Sequence, residues 1–156
     1  LAAAREPRLT LTHESVDDMV RDCHAFLIPE FERSGVTSRI EIEGDVPIVA
    51  DIDESQMRQA LVNLLRNARE AVPDGGEVVL RLVAQPELVS IEIHDNGPGV
   101  PSDVRASIFD PFYTTKQRGT GLGLAVTRAI VEAHGGSIRC EAPDNGGTLF
   151  VIELPR

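Results

Sequence analysis

Residues 54–72 read ESQMRQALVNLLRNAREAV, and this stretch carries two regular stripes at once. Apolar residues recur at spacings of three and four, which places them on one face of an α-helix. Polar residues, among them Asn63 and Asn67, recur at the same spacings on another face. Pro73 and Gly75 follow directly and are typical of a helix stop. The stretch therefore predicts a helix with a buried face and an amide-bearing face. The apolar stripe consists of Met57, Ala60, Leu61, Leu64, Leu65, Ala68 and Ala71.

Two glycine clusters follow this helix, Asp95-Asn96-Gly97-Pro98-Gly99 and Gly119-Thr120-Gly121-Leu122-Gly123-Leu124. The first ends a predicted strand, and the second opens a predicted helix over residues 122–134. Glycine lets a flat ring or a phosphate approach the backbone, and a helix N-terminus offers N–H groups to an anion. Amide oxygens suit Mg²⁺, and the Asp95 carboxylate can accept a hydrogen bond from an adenine amino group. The sequence therefore predicts a pocket for a purine nucleotide with Mg²⁺.

The composition of the chain limits which molecules it is expected to bind. The chain has 156 residues, 42% of them hydrophobic, which is typical of one folded domain. A net charge of −10 argues against nucleic acid, whose phosphates require clustered Lys and Arg. Lys116 and Arg118 are the cations closest to the second glycine cluster and are expected to offset a bound phosphate chain. The two cysteines lack the spacing of a metal site and predict free thiols in a reducing cytoplasm.

The remaining elements follow from periodicity. Residues 1–12 show no sustained period and are interpreted as the end of a preceding element and a linker. A helix is predicted from about Ser15, with Pro29 as its kink or end. A short helix is predicted after Ser102, and the segment 114–121, which has no large apolar residue, is predicted to be a flexible lid. Phe109 is predicted to anchor its loop to the core. Strands are predicted at residues 38–43, 47–50, 77–83, 89–94, 137–141 and 148–154, the last two as a hairpin.

Two common nucleotide folds do not fit the glycine pattern. A dinucleotide-binding fingerprint must follow a strand directly, whereas a Thr-rich loop precedes Gly119. A phosphate-binding P-loop requires Gly-Lys-Ser/Thr, which does not follow these glycines.

Four motifs together, in order and spacing, resemble the N, G1, F and G2 boxes of sensor histidine kinases. They are residues 63–67 (NLLRN), 95–99 (DNGPG), 109–113 (FDPFY) and 119–124 (GTGLGL). The resemblance covers nearly all of residues 15–155. It implies a Bergerat-type ATP-binding fold, an α/β two-layer sandwich in which a mixed β-sheet carries helices on one face. The NLLRN and Thr-Thr-Lys details look most like nitrogen-regulation-type kinases.

The resemblance also implies roles for individual residues. Asn67 with Asn63 would coordinate Mg²⁺, and Asp95 would recognise adenine. Gly97 and Gly99 would shape the base pocket, and Gly119, Thr120, Gly121, Leu122, Gly123 and Leu124 would wrap the phosphates. Lys116 and Arg118 are candidates for the terminal phosphates by charge and position, and Thr148, which begins the last strand, is expected near the base pocket.

The identity of residue 63 indicates whether the γ-phosphoryl group is transferred to water or to a protein side chain. Gyrase and the chaperone ATPases, which are related to this family, carry a glutamate at this position that activates water, and an amide cannot take a proton in that way. Asn63 therefore fits an enzyme that transfers the γ-phosphoryl group to a protein histidine rather than to water. Glu70 departs from many kinases, which carry a lysine there, so the residues that contact phosphate are less firmly assigned.

The phosphorylated histidine of the family lies well upstream of the ATP-binding domain. His13 is too close to Asn63, and the residues after Glu14 do not continue the expected motif. We therefore expect residues 1–14 to be the end of a preceding dimerisation helix or linker and residues 15–156 to be the ATP-binding catalytic domain.

The expected partners are this chain's own dimerisation domain and a downstream response regulator. The fragment is expected to be a monomer, and the full-length protein a cytoplasmic or membrane-anchored homodimer. A nucleotide-regulated interaction module and a serine kinase of the anti-sigma class are the alternatives.

Overall fold

The computed structural model describes residues 7–113 and 123–156. Within these ranges three α-helices and seven strands follow one another in the order β1-α1-β2-β3-α2-β4-β5-α3-β6-β7, with a 3₁₀ turn at Ser107–Phe109 between β5 and α3. The strands are β1 Thr12–Ser15, β2 Thr37–Glu43, β3 Val49–Ile52, β4 Glu77–Ala84, β5 Leu88–Asp95, β6 Ser137–Glu141 and β7 Thr148–Pro155, and the helices are α1 Val16–Arg33, α2 Glu54–Ala71 and α3 Gly123–Ala133.

Five strands form one mixed sheet in the order β2-β4-β5-β7-β6. β2 lies parallel to β4, and every other neighbouring pair in this sheet is antiparallel. The inward-facing residues of the central strands are buried under the three helices, as Leu80, Ile91 and Ile152 illustrate. The predicted two-layer α/β sandwich, with a mixed sheet and helices on one face, is confirmed, as is the β6–β7 hairpin.

The opposite face of the sheet carries charged side chains that pair across strands. Arg81 contacts Glu43 of β2 at 2.6 Å and Glu92 of β5 at 3.2 Å, and Arg139 contacts Glu153 of β7 at 3.1 Å in addition to Glu141 of its own strand. Cross-strand ion pairs of this kind suit a sheet face that remains in water. The hydrophobic core cluster of the described residues therefore lies between the sheet and the helices.

Helix α1 does not end at Pro29, contrary to one of the two outcomes that the sequence predicted. The helix continues for one more turn to Arg33, although a proline removes a backbone donor. Two contacts hold that last turn in place: Phe31 is buried in the core, and the carboxylate of Glu30 contacts Arg66 of α2 at 2.7 Å. Tertiary contacts here outweigh the local cost of the proline.

The short helix predicted after Ser102 is not an α-helix. The backbone N–H groups of Val104, Ser107 and Asp110 each donate to the carbonyl three residues earlier. That spacing is characteristic of successive turns, and only residues 107–109 form a single 3₁₀ turn. Phe109 closes this segment and packs edge-to-face on Phe150 with 6.1 Å between ring centroids. Its predicted anchoring in the core is confirmed.

Strand β1 was not predicted, and β3 begins two residues later than predicted. β1 pairs antiparallel with β3 in a separate two-stranded sheet, with Ser15 opposite Val49. The sequence gives little sign of β1 because its residues are polar and mostly solvent-facing. Pro47 lacks the N–H that a paired strand requires, which accounts for the later start of β3.

Candidate nucleotide site

Asp95 is the last residue of the central strand β5, and its side chain is buried. Its Oδ1 accepts a hydrogen bond of 2.9 Å from the backbone N–H of Gly97. Across the sheet it lies opposite Thr148, the first residue of β7, which is also buried. Thr148, which the sequence places near the base pocket, is thus a neighbour of Asp95 in the register of these two strands, and its role in binding a base stays a prediction.

Burial raises the pKa of the Asp95 carboxyl above its ordinary value. Hydrogen bonds from the backbone N–H groups of Gly97 and Thr148 oppose this rise but do not cancel it. A carboxylate offers about four lone-pair positions, and the residues of the described part of the chain supply two backbone donors. Within the described residues, Asp95 therefore retains acceptor capacity for a further donor.

The turn after Asp95 packs tightly on both of its neighbours. A Cβ added at Gly97 would lie 2.6 Å from the carbonyl oxygen of Ala71, the last residue of α2. Gly99 has a φ of +83°, and a Cβ there would lie 3.0 Å from the carbonyl oxygen of Gly147. Backbone packing thus requires both glycines, a reason that the sequence interpretation did not identify.

Gly147 and Asn96 belong to the same framework and were not singled out from the sequence. A Cβ at Gly147 would lie 1.8 Å from the carbonyl oxygen of Asp95, so the β6–β7 turn rests directly on the Asp95 peptide. The side-chain Oδ1 of Asn96 accepts from the backbone N–H of Glu77 at 2.8 Å and joins the turn to β4. The Asx turn of Asp-Asn-Gly is formed by Asp95 with the Gly97 N–H, so it does not identify Asn96, and Gly147 resembles any hairpin glycine.

Asn63 joins α2 to the start of α3. Its Nδ2 donates to the carbonyl oxygen of Gly123 at 2.9 Å and to Thr127 Oγ1 at 3.3 Å. Thr127 is fully buried, and its hydroxyl donates to the same Gly123 carbonyl at 2.9 Å. The described hydrogen bonds engage the amide nitrogen, so Oδ1 is the atom of Asn63 that could coordinate a metal ion. Thr127 was not identified from the sequence.

Helix α2 therefore spans the site from one glycine cluster to the other. Asn63 contacts Gly123, and Ala71, two turns further along, contacts Gly97. A rise of about 1.5 Å per residue separates these two contacts by about 12 Å, with the half-buried Asn67 between them on the same helix face. The structure thus brings together both asparagines, Asp95, Gly97, Gly99, Gly123 and Thr148.

Of the other predicted site residues, the structure describes Leu124, and the rest lie outside the described ranges. Leu124 is half-buried in the first turn of α3 and packs against the core. The predicted lid at residues 114–121 lies outside the described residues, as do Lys116, Arg118, Gly119, Thr120, Gly121 and Leu122. Among the helices of the described ranges, none has the length and apolar character needed to cross a membrane.

Residues 52–156 match the family model described as "Histidine kinase-, DNA gyrase B-, and HSP90-like ATPase". Sporulation kinase E of Bacillus subtilis (strain 168) is 35% identical over 156 residues, which cover 99% of this chain and 21% of that protein. The chain thus spans about a fifth of the length of this curated relative.

Solved structures are similar over most of the chain. The catalytic domain of the histidine kinase ThkA has a TM-score of 0.87 at 28% identity, covering 94% of this chain and 96% of that one. ThkA in complex with the response regulator protein TrrA has a TM-score of 0.82 at 25% identity, over 93% and 41% of the two chains. Full-length ShkA in complex with AMPPNP has a TM-score of 0.84 at 28% identity, over 97% and 32%. The chain belongs to the histidine kinase-, DNA gyrase B- and HSP90-like ATPase family, and its fold and relatives are those of ATP-binding catalytic domains of sensor histidine kinases.

Proposed function

We propose that this domain binds ATP with Mg²⁺ and transfers the γ-phosphoryl group to a histidine on a dimerisation domain of the same protein. The observation that carries the proposal is Asp95, a buried carboxylate whose described donors are two backbone N–H groups. An adenine amino group is a donor of the right size and polarity to complete its hydrogen bonding. Asp95 would therefore select adenine, with Gly97, Gly99 and Thr148 forming the walls beside the ring.

The phosphate side of the site suits a metal-bound triphosphate. Asn63 and Asn67 offer neutral oxygens to Mg²⁺, and the metal would supply charge neutralisation of the phosphate oxygens. The hydrogen bonds of Asn63 Nδ2 to the Gly123 carbonyl and to Thr127 Oγ1 fix the side-chain amide, so that Oδ1 is its atom available to coordinate a metal. Because an amide does not accept a proton, Asn63 leaves water unactivated, which favours transfer to a protein side chain.

The phosphate contacts extend beyond the described residues. We propose that Gly119, Thr120, Gly121 and Leu122 wrap the phosphates together with Gly123 and Leu124. Lys116 and Arg118 are proposed for the terminal phosphates, with Lys116 acting in the transfer. Their positive charge would act locally against the field of a chain whose net charge is −10, a field that disfavours a polyanionic ligand.

The proposed acceptor lies on a domain reached through residues 1–14, with residues 15–156 as the catalytic domain. A response regulator would receive the phosphoryl group next, and the ThkA complex with TrrA supports this class of partner. The proposal places the domain in the cytoplasm, where ATP is supplied, and expects a homodimer of the full-length protein.

Binding is tested by calorimetry with ATP in the presence of Mg²⁺. The Asp95→Asn variant retains an oxygen for the Gly97 N–H but presents an amino group to the adenine amino group. We expect its affinity to fall about 10- to 100-fold, the effect of losing a hydrogen bond to a charged group. Asp17→Asn is the matched control, since Asp17 is equally buried but lies at the N-terminus of α1. Equal affinities of the wild-type chain and the Asp95→Asn variant would overturn the assignment of Asp95.

Transfer is tested by adding a histidine kinase dimerisation domain and γ-labelled ATP. The expected product is a phosphoprotein that loses its label in acid, as phosphohistidine does. An acid-stable product would instead indicate a serine kinase. ATP binding without labelling of any added domain would indicate a nucleotide-regulated interaction module.

A further inference from the structure

His134 is a buried side chain that the nucleotide site does not use. It follows the last residue of α3, and both of its ring nitrogens are engaged. Nδ1 lies 2.8 Å from the carbonyl oxygen of Ile130, so it must carry a proton and donate. Nε2 lies 3.0 Å from the backbone nitrogen of Asp53, so it must be unprotonated and accept. The two partners therefore fix a single neutral tautomer.

The partner of His134 is the N-cap of α2. Asp53 Oδ1 accepts from the backbone N–H of Gln56, which closes the first turn of that helix. Its other oxygen accepts from the backbone N–H of Thr10, in the segment that leads into β1. The Asp53 peptide therefore joins α2, the C-terminal end of α3 and the incoming chain.

Helix α3 is consequently held to α2 at both of its ends. At the N-terminal end, Asn63 donates to the Gly123 carbonyl, and at the C-terminal end, His134 accepts from Asp53. An α-helix of this length is a rigid rod of about 16 Å, so two attachments determine its tilt as well as its position. Thr127, Ile130 and Val131 are also buried along the helix, so loss of either attachment would shift that end of α3 rather than release the helix.

We propose that His134 is a positioning residue for nucleotide binding, which acts through α3 to hold Gly123 in register with Asn63. This inference rests on the proposed function, because it assigns to the His134–Asp53 contact a part of the affinity for magnesium-bound ATP. His134 itself does not contact the nucleotide. It lies at the other end of α3 from Gly123, 11 residues along the chain.

Two substitutions separate the two hydrogen bonds of His134. In His134→Gln the side-chain oxygen can occupy the place of Nε2 and accept from Asp53, whereas the bond to Ile130 is lost. In His134→Asn the shorter amide can occupy the place of Nδ1 and donate to Ile130, but it cannot reach Asp53. We expect His134→Asn to bind magnesium-bound ATP about fivefold more weakly, the effect of one lost hydrogen bond, and His134→Gln to stay within about twofold of the wild-type chain.

The outcomes are distinct when affinity is measured by calorimetry well below each variant's melting temperature. A purely structural role would lower the melting temperature of both variants without separating their affinities. Equal affinity of His134→Asn and the wild-type chain would overturn the inference, and so would equal weakening in both variants. Absence of binding by the wild-type chain would instead overturn the proposed function, and the inference with it.

A second measurement needs no variant. Coupling between two sites is reciprocal, so a nucleotide that depends on the His134–Asp53 contact must also stabilise it. Saturating magnesium-bound ATP should slow hydrogen exchange at the Asp53 amide at least as much as it slows exchange at the Gln56 amide, and by more than at Ser38 on the edge strand β2. An Asp53 amide that responds no more than Ser38 would contradict the inference even if neither variant folds.

Discussion

Two buried aspartates illustrate opposite uses of the same side chain. Asp17, in the first turn of α1, and Asp95, at the end of β5, are each 3% exposed. Asp17 receives hydrogen bonds from Ser15 Oγ at 2.7 Å, the Ile48 N–H at 2.7 Å and Arg21 Nη1 at 2.8 Å. Burial tends to raise its pKa, but these donors together outweigh burial, and the pKa of Asp17 is lowered.

For Asp95 the balance is reversed. Burial is the largest influence, the two backbone donors do not offset it, and the pKa is raised. Among the described residues, the donors to Asp17 outweigh its burial and the donors to Asp95 do not, which is the difference expected between a structural carboxylate and the ligand-binding one proposed above. Burial alone does not distinguish them, whereas the hydrogen-bond partners do.

The largest expected effect on stability tests whether the β6–β7 turn can move away from the backbone of Asp95. Gly147→Ala places a methyl group on the Asp95 carbonyl, and we expect it to lower the free energy of unfolding by more than about 3 kcal/mol. Gly146→Ala is the control: its φ is also positive, at +90°, but its Cβ would meet nothing within 4 Å. The control should cost about 1 kcal/mol from backbone strain alone. Urea unfolding measures both, and equal costs would show that the turn can move aside.

The next effect compares the two carboxylates directly. Asp17→Asn turns an acceptor into a donor that faces Arg21, and it should lower the free energy of unfolding by about 2 kcal/mol at neutral pH. Asp95→Asn keeps the acceptor for Gly97 and removes a buried charge, so we expect a change of less than about 1 kcal/mol. Urea unfolding at pH 7 checks both variants. Similar losses would contradict the idea that only Asp17 is satisfied by the protein.

The pH dependence of stability should have opposite signs at the two sites. The lowered pKa of Asp17 means that its stabilisation is complete above the ordinary value of 3.8 and is lost as pH falls through the folded pKa. The raised pKa of Asp95 means that its burial cost is complete at neutral pH and is relieved as pH falls toward 3.8. As pH falls, the wild-type chain should first gain stability relative to Asp95→Asn. Only at a lower pH should it lose its stability advantage over Asp17→Asn. Paired urea titrations between pH 7 and the acid limit of folding provide the test.

The smallest expected effect on stability concerns an uncharged buried group, the Thr127 hydroxyl. The Thr127 hydroxyl both donates to Gly123 and accepts from Asn63. Thr127→Val should therefore cost about 1 kcal/mol in the free energy of unfolding, and Thr127→Ser, which keeps the hydroxyl, should recover most of what the hydrogen bonds contribute. Thermal unfolding of the three proteins measures the difference. Identical losses in both variants would assign the effect to the methyl group instead.

Much of the fold was predictable from local pattern. The apolar stripe of α2 predicted a helix that the structure places at Glu54–Ala71, and alternation predicted β5, with Asp95 at its end. Both signals are strong because each element buries one face and its period is regular. The hairpin of β6 and β7 was predictable for the same reason, together with the glycines of its turn.

The missed features depend on contacts between residues that are distant in sequence. β1 has no apolar stripe and is defined by its pairing with β3, and the last turn of α1 persists because Phe31 and Glu30 are held by other elements. His134 and Asp53 are 81 residues apart, and no local pattern connects them. Gly147 has the composition of an ordinary turn, and only its proximity to Asp95 reveals why a side chain is excluded.

Within the β6–β7 turn, adjacent residues differ sharply in how closely they are packed, and this difference suggests where a label can be attached. Asn145 is exposed and Gly146 has open space around it, whereas Gly147 rests on the peptide of Asp95. A fluorescent or spin label attached at position 145 would therefore sit in solvent, two residues from Gly147, which packs on the backbone carbonyl of Asp95. Such a reporter would follow occupancy of the pocket without entering it.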